Sequence, residues 1–299
     1  MNNRAQIRRL PDGSRLYMHD GPIDLIVEAF GEVREIELAY RAAAARFVEV
    51  LDELCGEIEF LRRPADANGE VPSGTIARRM LAAVQPYASQ TFITPMAAVA
   101  GAVAEEILTA MTSVAKLTRA YVNDGGDIAL HLAPGERFVV GMVQRPDRTS
   151  LFGLTTIHSD DPIRGIATSG WRGRSFSLGI ADAVTILADT AAVADAAATV
   201  VANAVDLPEH PRIGRVRACD LAPDSDLGER LVTRSVGDLT STEIGYALDA
   251  GIRVAELLSS SGLIRAAALN LQGATRVIGA EGWSQLVAAS SPRRSLAHA

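Results

Sequence analysis

The chain has 299 residues, is 48% hydrophobic and carries a formal net charge of −7. That apolar content excludes intrinsic disorder and suffices for one large domain, or two smaller ones, with a buried core. The acidic balance leaves no basic excess to neutralise phosphates, which argues against nucleic acid as a partner.

Lys116 is the only lysine, so Schiff-base chemistry has a single candidate. Cys55 and Cys219 lack metal-ligand spacing and are too few for a secreted disulfide framework, so both read as reduced core thiols. Residues 1–15 contain no apolar signal-peptide region, and apolar segments are broken by charge or glycine before about 18 residues. A cytoplasmic protein with no membrane span is expected.

Residues 5–30 read as β structure, with turns at Pro11-Asp12-Gly13-Ser14 and Asp20-Gly21-Pro22 and a strand from Ile23 to Val27. From Glu32 to Arg63 apolar residues recur at steps of three or four (Val33, Ile36, Tyr40, Ala43, Phe47, Leu51, Leu54), which predicts a helix. Pro64 ends it. A shorter helix is expected over 75–84, with Ser73 as its N-cap. Thr94-Pro95 opens a long small-residue helix, MAAVAGAVAEEILTAMTSVAKL, whose Ala and Gly content suits close packing on a sheet.

Ala120–Val122 and Ile128–Leu132 read as strands joined through Asn123-Asp124-Gly125-Gly126-Asp127. The paired glycines serve a hairpin turn, or bring backbone N–H groups close to a ligand. Arg137 to Val143 continues the sheet, and Leu151 to Ile157 adds a strand. His158-Ser159-Asp160-Asp161-Pro162 is a solvated turn, because adjacent residues converge poorly on one ion.

Residues 164–207 form the central stretch. A small loop, Ala167-Thr168-Ser169-Gly170, leads through an apolar run into an Ala-rich helix. Asp195, Thr199 and Asn203 lie at i, i+4 and i+8 on one face of that helix. An aspartate in an apolar helix needs a partner. An arginine, loop N–H groups, or a hard cation such as Mg²⁺ held by Asp195 and Thr199 would each serve. Arg172 and Arg174 nearby suit a phosphate. Equally, Thr199 could bond its own backbone and Asp195 lie half-exposed.

Further on, Ile213–Cys219 and Leu231–Val236 read as strands. Thr240-Ser241-Thr242-Glu243 caps a helix to about Ser259, and 263–271 and 275–278 are terminal strands. Helices covering hairpin-linked strands predict an α+β fold, mainly antiparallel sheets covered by helices. No H-x-x-x-H, G-x-S-x-G, P-loop or G-x-G-x-x-G motif is present.

Gly125-Gly126-Asp127-Ile128, Ala167-Thr168-Ser169-Gly170, Ala183-Val184-Thr185-Ile186-Leu187 and Ala194-Asp195-Ala196-Ala197-Ala198-Thr199 stand in the order seen in ApbE-like proteins. These include the FAD:protein FMN transferases. With Ile23-Asp24-Leu25, the 94–102 segment and Tyr121–Asp127, the chain resembles still more the cytoplasmic ApbE-related family that carries a UPF placeholder name. The resemblance implies an ApbE-like fold over 1–299, one domain with room for two lobes; the Ser-, Pro- and Arg-containing composition of 291–299 predicts a flexible tail. It implies a small-molecule ligand such as FAD or FMN, bound at Gly125, Gly126, Asp127, Thr168, Ser169 and Gly170. Mg²⁺ would be held by Asp195 and Thr199, in metal-assisted transfer of a flavin nucleotide. No membrane partner is expected, and a homo-oligomer is compatible with this reading.

The chain departs from the transferases in two places. Their Lys-Gly-Tyr element is replaced by Ala100-Gly101-Ala102. Their His-x-x-Asp-Pro-x-Thr-Gly segment is absent, since Phe176–Asp182 runs straight into the next apolar stretch. The alternative is a non-catalytic flavin- or pterin-binding or assembly protein that kept the fold.

Overall fold

The computed structural model describes residues 4–66, 69–145 and 148–279, with the backbone alone over 142–145 and 148–154. In chain order the elements are β1 (Gln6–Arg9), β2 (Leu16–Asp20), β3 (Ile23–Phe30), α1 (Val33–Gly56), α2 (Ile58–Leu61) and α3 (Thr75–Val84). There follow α4 (Val99–Thr112), β4 (Arg119–Asp124), β5 (Asp127–Leu132), β6 (Arg137–Arg145), β7 (Arg148–His158), β8 (Gly165–Ser169), β9 (Ala183–Ala188) and α5 (Ala191–Ala204). The described chain closes with β10 (Ile213–Arg217), α6 (Ala218–Leu221), β11 (Leu231–Val236), α7 (Ser241–Ser260), β12 (Ala266–Leu271) and β13 (Ala274–Ile278).

Alternation builds the sheet. β2, β3 and β4 bury every second residue, so each presents one apolar face to the helices. Nine strands join in the order β1-β2-β3-β4-β5-β8-β9-β12-β13, every pair antiparallel. One face is covered by a row of helices: α1 over β2 and β3, α4 over β4 and β5, α5 over β8 and β9, α7 over β12 and β13. A smaller apolar cluster of Leu130, Ile157, Ile166 and Leu187 lies on the other face, with Phe138 and Val140 against it. The fold is therefore α+β, as expected.

Several local expectations are corrected. β6 and β7 do not continue the sheet; they form a separate ribbon, as do β10 and β11. The helix expected from Thr94 to Leu117 begins as a 3-10 turn over 95–98 and ends at Thr112, where the Thr112 and Ser113 hydroxyls bond backbone carbonyls. Ser73 is not the cap of α3. Glu57, at the end of α1, accepts the Ser73 and Gly74 N–H groups at 2.8 and 3.0 Å, and Glu53 accepts Ile76 N–H at 3.3 Å. Cys55 and Cys219 are free, but Cys55 is exposed and Cys219 only partly covered, since the buried stripe of α1 runs through Phe47, Val50 and Leu54. The tail at 291–299 lies outside the described residues.

The Ala-rich α5 sits unusually close to its neighbours. A Cβ on Gly165 of β8 would lie 2.1 Å from the Thr190 carbonyl oxygen, and one on Gly101 of α4 would lie 2.3 Å from that of Ala191. Backbone cannot yield as a flexible side chain can. Gly165→Ala is therefore expected to lower stability by about 3 kcal/mol. Gly245→Ala, in α7 with nothing within 4 Å, should raise it by about 0.5–1 kcal/mol through helix propensity. Urea unfolding of the two variants checks both signs.

Candidate functional site

The centre of the sheet opens where two strands part. β5 and β8 pair only at Ile128–Ile166 and Ala129–Gly165. Beyond that point the Asp127 carboxylate accepts the Thr168 N–H at 3.1 Å, taking the place of a strand carbonyl. Asp127 stands there because of its turn. Asp124 and Asp127 are cross-strand partners on either side of Gly125 and Gly126, whose φ values are 63° and 120°. Positive φ at both positions is what a two-residue hairpin turn needs. Asn123 Oδ1 accepts the Gly126 N–H at 2.8 Å. The hairpin reading of the glycines holds, and it sets two aspartates side by side.

Asp195 comes from the helical side. Its Oδ2 accepts the Gly101 N–H at 3.0 Å, and the Ala100 N–H bonds it as well. Of the partners open to it, the structure supplies backbone N–H groups of α4 rather than an arginine. Both groups lie in the first turn of α4, where helical N–H donors have no partner of their own.

Asp124, Asp127 and Asp195 act on one another. Burial pushes Asp124 and Asp195 up to about 7, and Asp127 well above the carboxylate range. Desolvation is the largest cause in each case. Asp195 and Asp124 repel charge on Asp127, and Asp124 does so on Asp195. Hydrogen bonds from Thr168, Gly101 and Ala100 work the other way, and Arg174 favours the charge on Asp124. Carboxylates in such a place take up a proton or a cation. Among the described residues, no group of three or more His, Cys, Asp or Glu side chains is placed to hold a metal ion by itself.

The other expected site residues divide. Thr168 and Ser169 lie in strand β8 rather than in a loop. Alternation puts Ser169 on the same side as Ala167, which belongs to the helix-covered core, and Thr168 with Ile166 on the opposite face. There the Thr168 hydroxyl meets that of Thr185 at 2.9 Å, so Thr168 offers Asp127 its N–H alone. Gly170 is buried against the carbonyls of Ala181 and Asp182. Thr199 follows Asp195 by one turn of α5. Asn203 is structural: its Oδ1 accepts the Leu178 N–H at 2.9 Å and the Ser177 hydroxyl at 3.3 Å.

The two arginines also part company. Arg172 donates to Asp182 at 2.6 Å and stacks on Trp171 at 4.3 Å. Arg174 is exposed beside the turn, 3.8 Å from where a Cβ on Gly125 would be, and donates to the Pro22 carbonyl at 3.3 Å. Sequence reasoning passed over Asp124, although a two-residue turn in Asp-Gly-Gly-Asp necessarily pairs its flanking residues. Gly101 was legible only as part of a close-packing small-residue helix, because its bond to Asp195 depends on a helix about ninety residues away. Two open hollows, of about 380 Å³ beside Phe92 and about 440 Å³ beside Phe60, are lined by none of these carboxylates.

Comparison with known proteins bears on this arrangement. The profile of the family described as AbpE bacteria matches residues 7–277. The chain belongs to that family. It thereby falls in the ApbE-like superfamily, on the branch that carries the UPF0280 name. It is 33% identical to the UPF0280 protein of Methanopyrus kandleri over 167 residues, spanning 54% of this chain and 64% of that relative. It is 32% identical to the UPF0280 protein of Methanococcoides burtonii over 176 residues, spanning 58% and 70%. It is also similar to the crystal structure of Pseudomonas stutzeri flavinyl transferase ApbE in its apo form. There the identity is 11%, the TM-score is 0.47, and 93% of this chain and 96% of the other are covered. No helix among the described residues is long and apolar enough to cross a membrane.

The raised aspartates set a pH dependence. Their folded-state affinity for protons exceeds the unfolded one, so the stability they contribute is complete below about pH 4. It is lost as pH rises through about 7. Asp195→Asn keeps an acceptor for Gly101 and removes one charge. In metal-free buffer it is expected to raise Tm by about 3 °C near pH 8 and by little near pH 5. Calorimetry at the two pH values checks this.

Proposed function

We propose that this ApbE-like chain binds a phosphorylated heteroaromatic ligand of the flavin type, FAD or FMN, together with Mg²⁺. The binding place is the region between the Gly125-Gly126 turn, β8 and the start of α5. One observation carries the reading: Asp127 and Asp195 are desolvated carboxylates held by backbone N–H groups of β8 and α4, and charge on Asp195 raises the proton affinity of Asp127. Their chemistry fits the ion. Mg²⁺ takes oxygen donors, commonly one or two carboxylates, and leaves other positions to water and phosphate. Bound there, Mg²⁺ would neutralise phosphate charge and polarise a phosphoryl oxygen.

The chain's own residues do the rest. Asp195 and Thr199 on α5, with Asp127 on β5, supply the oxygens. The Thr168 N–H keeps Asp127 in place. Arg174, at the rim, meets the phosphate of the ligand. The family relationship supports a flavin as the ring system, and the reading places ligand exchange in the cytoplasm.

A second reading is favoured by the segment that stands where the transferases carry their histidine motif. Here 171–182 is closed on itself. Asp182 accepts from Trp171, Arg172 and the Gln272 N–H at 3.2, 2.6 and 2.6 Å, and Asn203 pins Ser177 and Leu178. A segment so engaged supports flavin or pterin binding without transfer.

Isothermal titration with FAD, FMN and pterins, with and without Mg²⁺, tests the proposal. FAD or FMN is expected to bind, more tightly with Mg²⁺, and Asp195→Ala should abolish the metal dependence. Arg174→Gln should weaken FMN about 10-fold and leave riboflavin unaffected. If none of these ligands binds, the proposal is wrong. Release of FMN or AMP from FAD and Mg²⁺ would favour catalysis, and binding without release the second reading.

A further inference from the structure

α4 and α5 are joined by a reciprocal clasp. Asp195, in the second turn of α5, accepts the Gly101 N–H in the first turn of α4 at 3.0 Å. Glu105, one turn further along α4, accepts the Ala192 N–H in the first turn of α5 at 2.7 Å. Each helix thus carries the carboxylate that satisfies its neighbour's N-terminus. α4 has no side-chain cap of its own. The two bonds are possible only because Gly101 lets the Ala191 carbonyl approach.

The second oxygen of Glu105 is held too. Arg79 Nε lies 2.9 Å from it, and Arg79 Nη1 lies 2.9 Å from Glu106. Arg46 on α1 in turn reaches Glu106 at 2.8 Å. Glu105 therefore cannot swing away from α5 without breaking a chain of ion pairs that runs across three helices.

We infer that Glu105 is a positioning residue for the candidate cation site. By fixing the start of α5 against α4, it keeps the Asp195 carboxylate on the first turn of α4 and so sets where that carboxylate meets the ion. The inference rests on the cation reading proposed above. Its geometric half, that Glu105 sets where Asp195 bonds, has a readout that needs no ion.

The test uses the full-length protein, Mn²⁺ alone as the probe, and amide hydrogen exchange at Gly101. Glu105→Ala is expected to weaken Mn²⁺ binding about 10-fold and to speed Gly101 exchange by about the same factor. Glu105→Asp, which keeps the charge but is one methylene too short for Ala192, should behave the same way if the alanine variant does not fold. Glu105→Gln has one carbonyl oxygen for the two donors Ala192 and Arg79 and is expected to fall between the parent and the alanine variant in both measurements. A folded Ala or Asp variant with a lower Tm but parental Mn²⁺ affinity and Gly101 exchange overturns the inference, since Glu105 would then serve the fold alone. If the parent binds no Mn²⁺, the cation reading fails and Gly101 exchange decides. Faster exchange in the Ala or Asp variant upholds the positioning of Asp195, and unchanged exchange overturns it.

Discussion

A helix N-terminus packed against another helix exposes N–H groups that water cannot reach, and this chain satisfies them with carboxylates from neighbouring helices. Glu53 and Glu57 of α1 close the start of α3. Asp195 of α5 closes α4, and Glu105 of α4 closes α5. Among these helices, α5 adds a cap of its own from Thr190, at 3.3 Å to Val193. Leaving such donors unpaired would cost about 1–3 kcal/mol each. The acids bring their own problem, because partly buried carboxylates need compensation. Arg46 and Arg79 provide it by bridging Glu53, Glu105 and Glu106. The helical layer is thus a lattice of caps and counter-charges as much as an apolar surface.

The candidate site grows from the same constraint. Asp195 is brought in to close α4, and Asp127 is brought in to close the gap between β5 and β8. Asp124 follows from the turn. Each carboxylate has a local structural reason, yet together they bring three acids close enough to act on one another, with Arg174 favouring the charge on Asp124 alone. Arg172 is engaged elsewhere, by Asp182 at 2.6 Å. A cation that binds this region would relieve repulsion already built into the fold, so its binding and the protein's stability would be linked. The 171–182 segment meanwhile acts as a tie between α5 and β12, by way of Asn203 and the Gln272 N–H.

Much of the architecture was legible along the chain. Turn signals marked the strands from β2 to β5, the three- and four-residue steps marked α1, and Thr240 with Glu243 marked the start of α7, where the structure shows the full capping box. Pairings were less legible. Nothing in Arg137–His158 says that those strands leave the main sheet, because period-two patterning reports faces and not neighbours. Ser73 has the right chemistry for a cap and still yields to Glu57, whose reach is a matter of helix placement. Cys55 follows Leu54 by one residue and so turns to solvent, which composition alone does not reveal.

The sequence by itself determined the elements, their α+β class, the family, and which residue types stood near one another around 164–207. It also left Asp195 with a choice of partners, since a burial cost demands a partner without naming one. Only the tertiary structure made that choice, by bringing the first turn of α4 within hydrogen-bond distance through Gly101. It turned Thr168 and Ser169 to opposite faces, tied Arg172 to Asp182, and set Asp124 and Asp127 beside Asp195. Periodicity is a property of consecutive residues and is written along the chain. The partner of a buried charge is set by elements that meet across it, and no local pattern records that meeting.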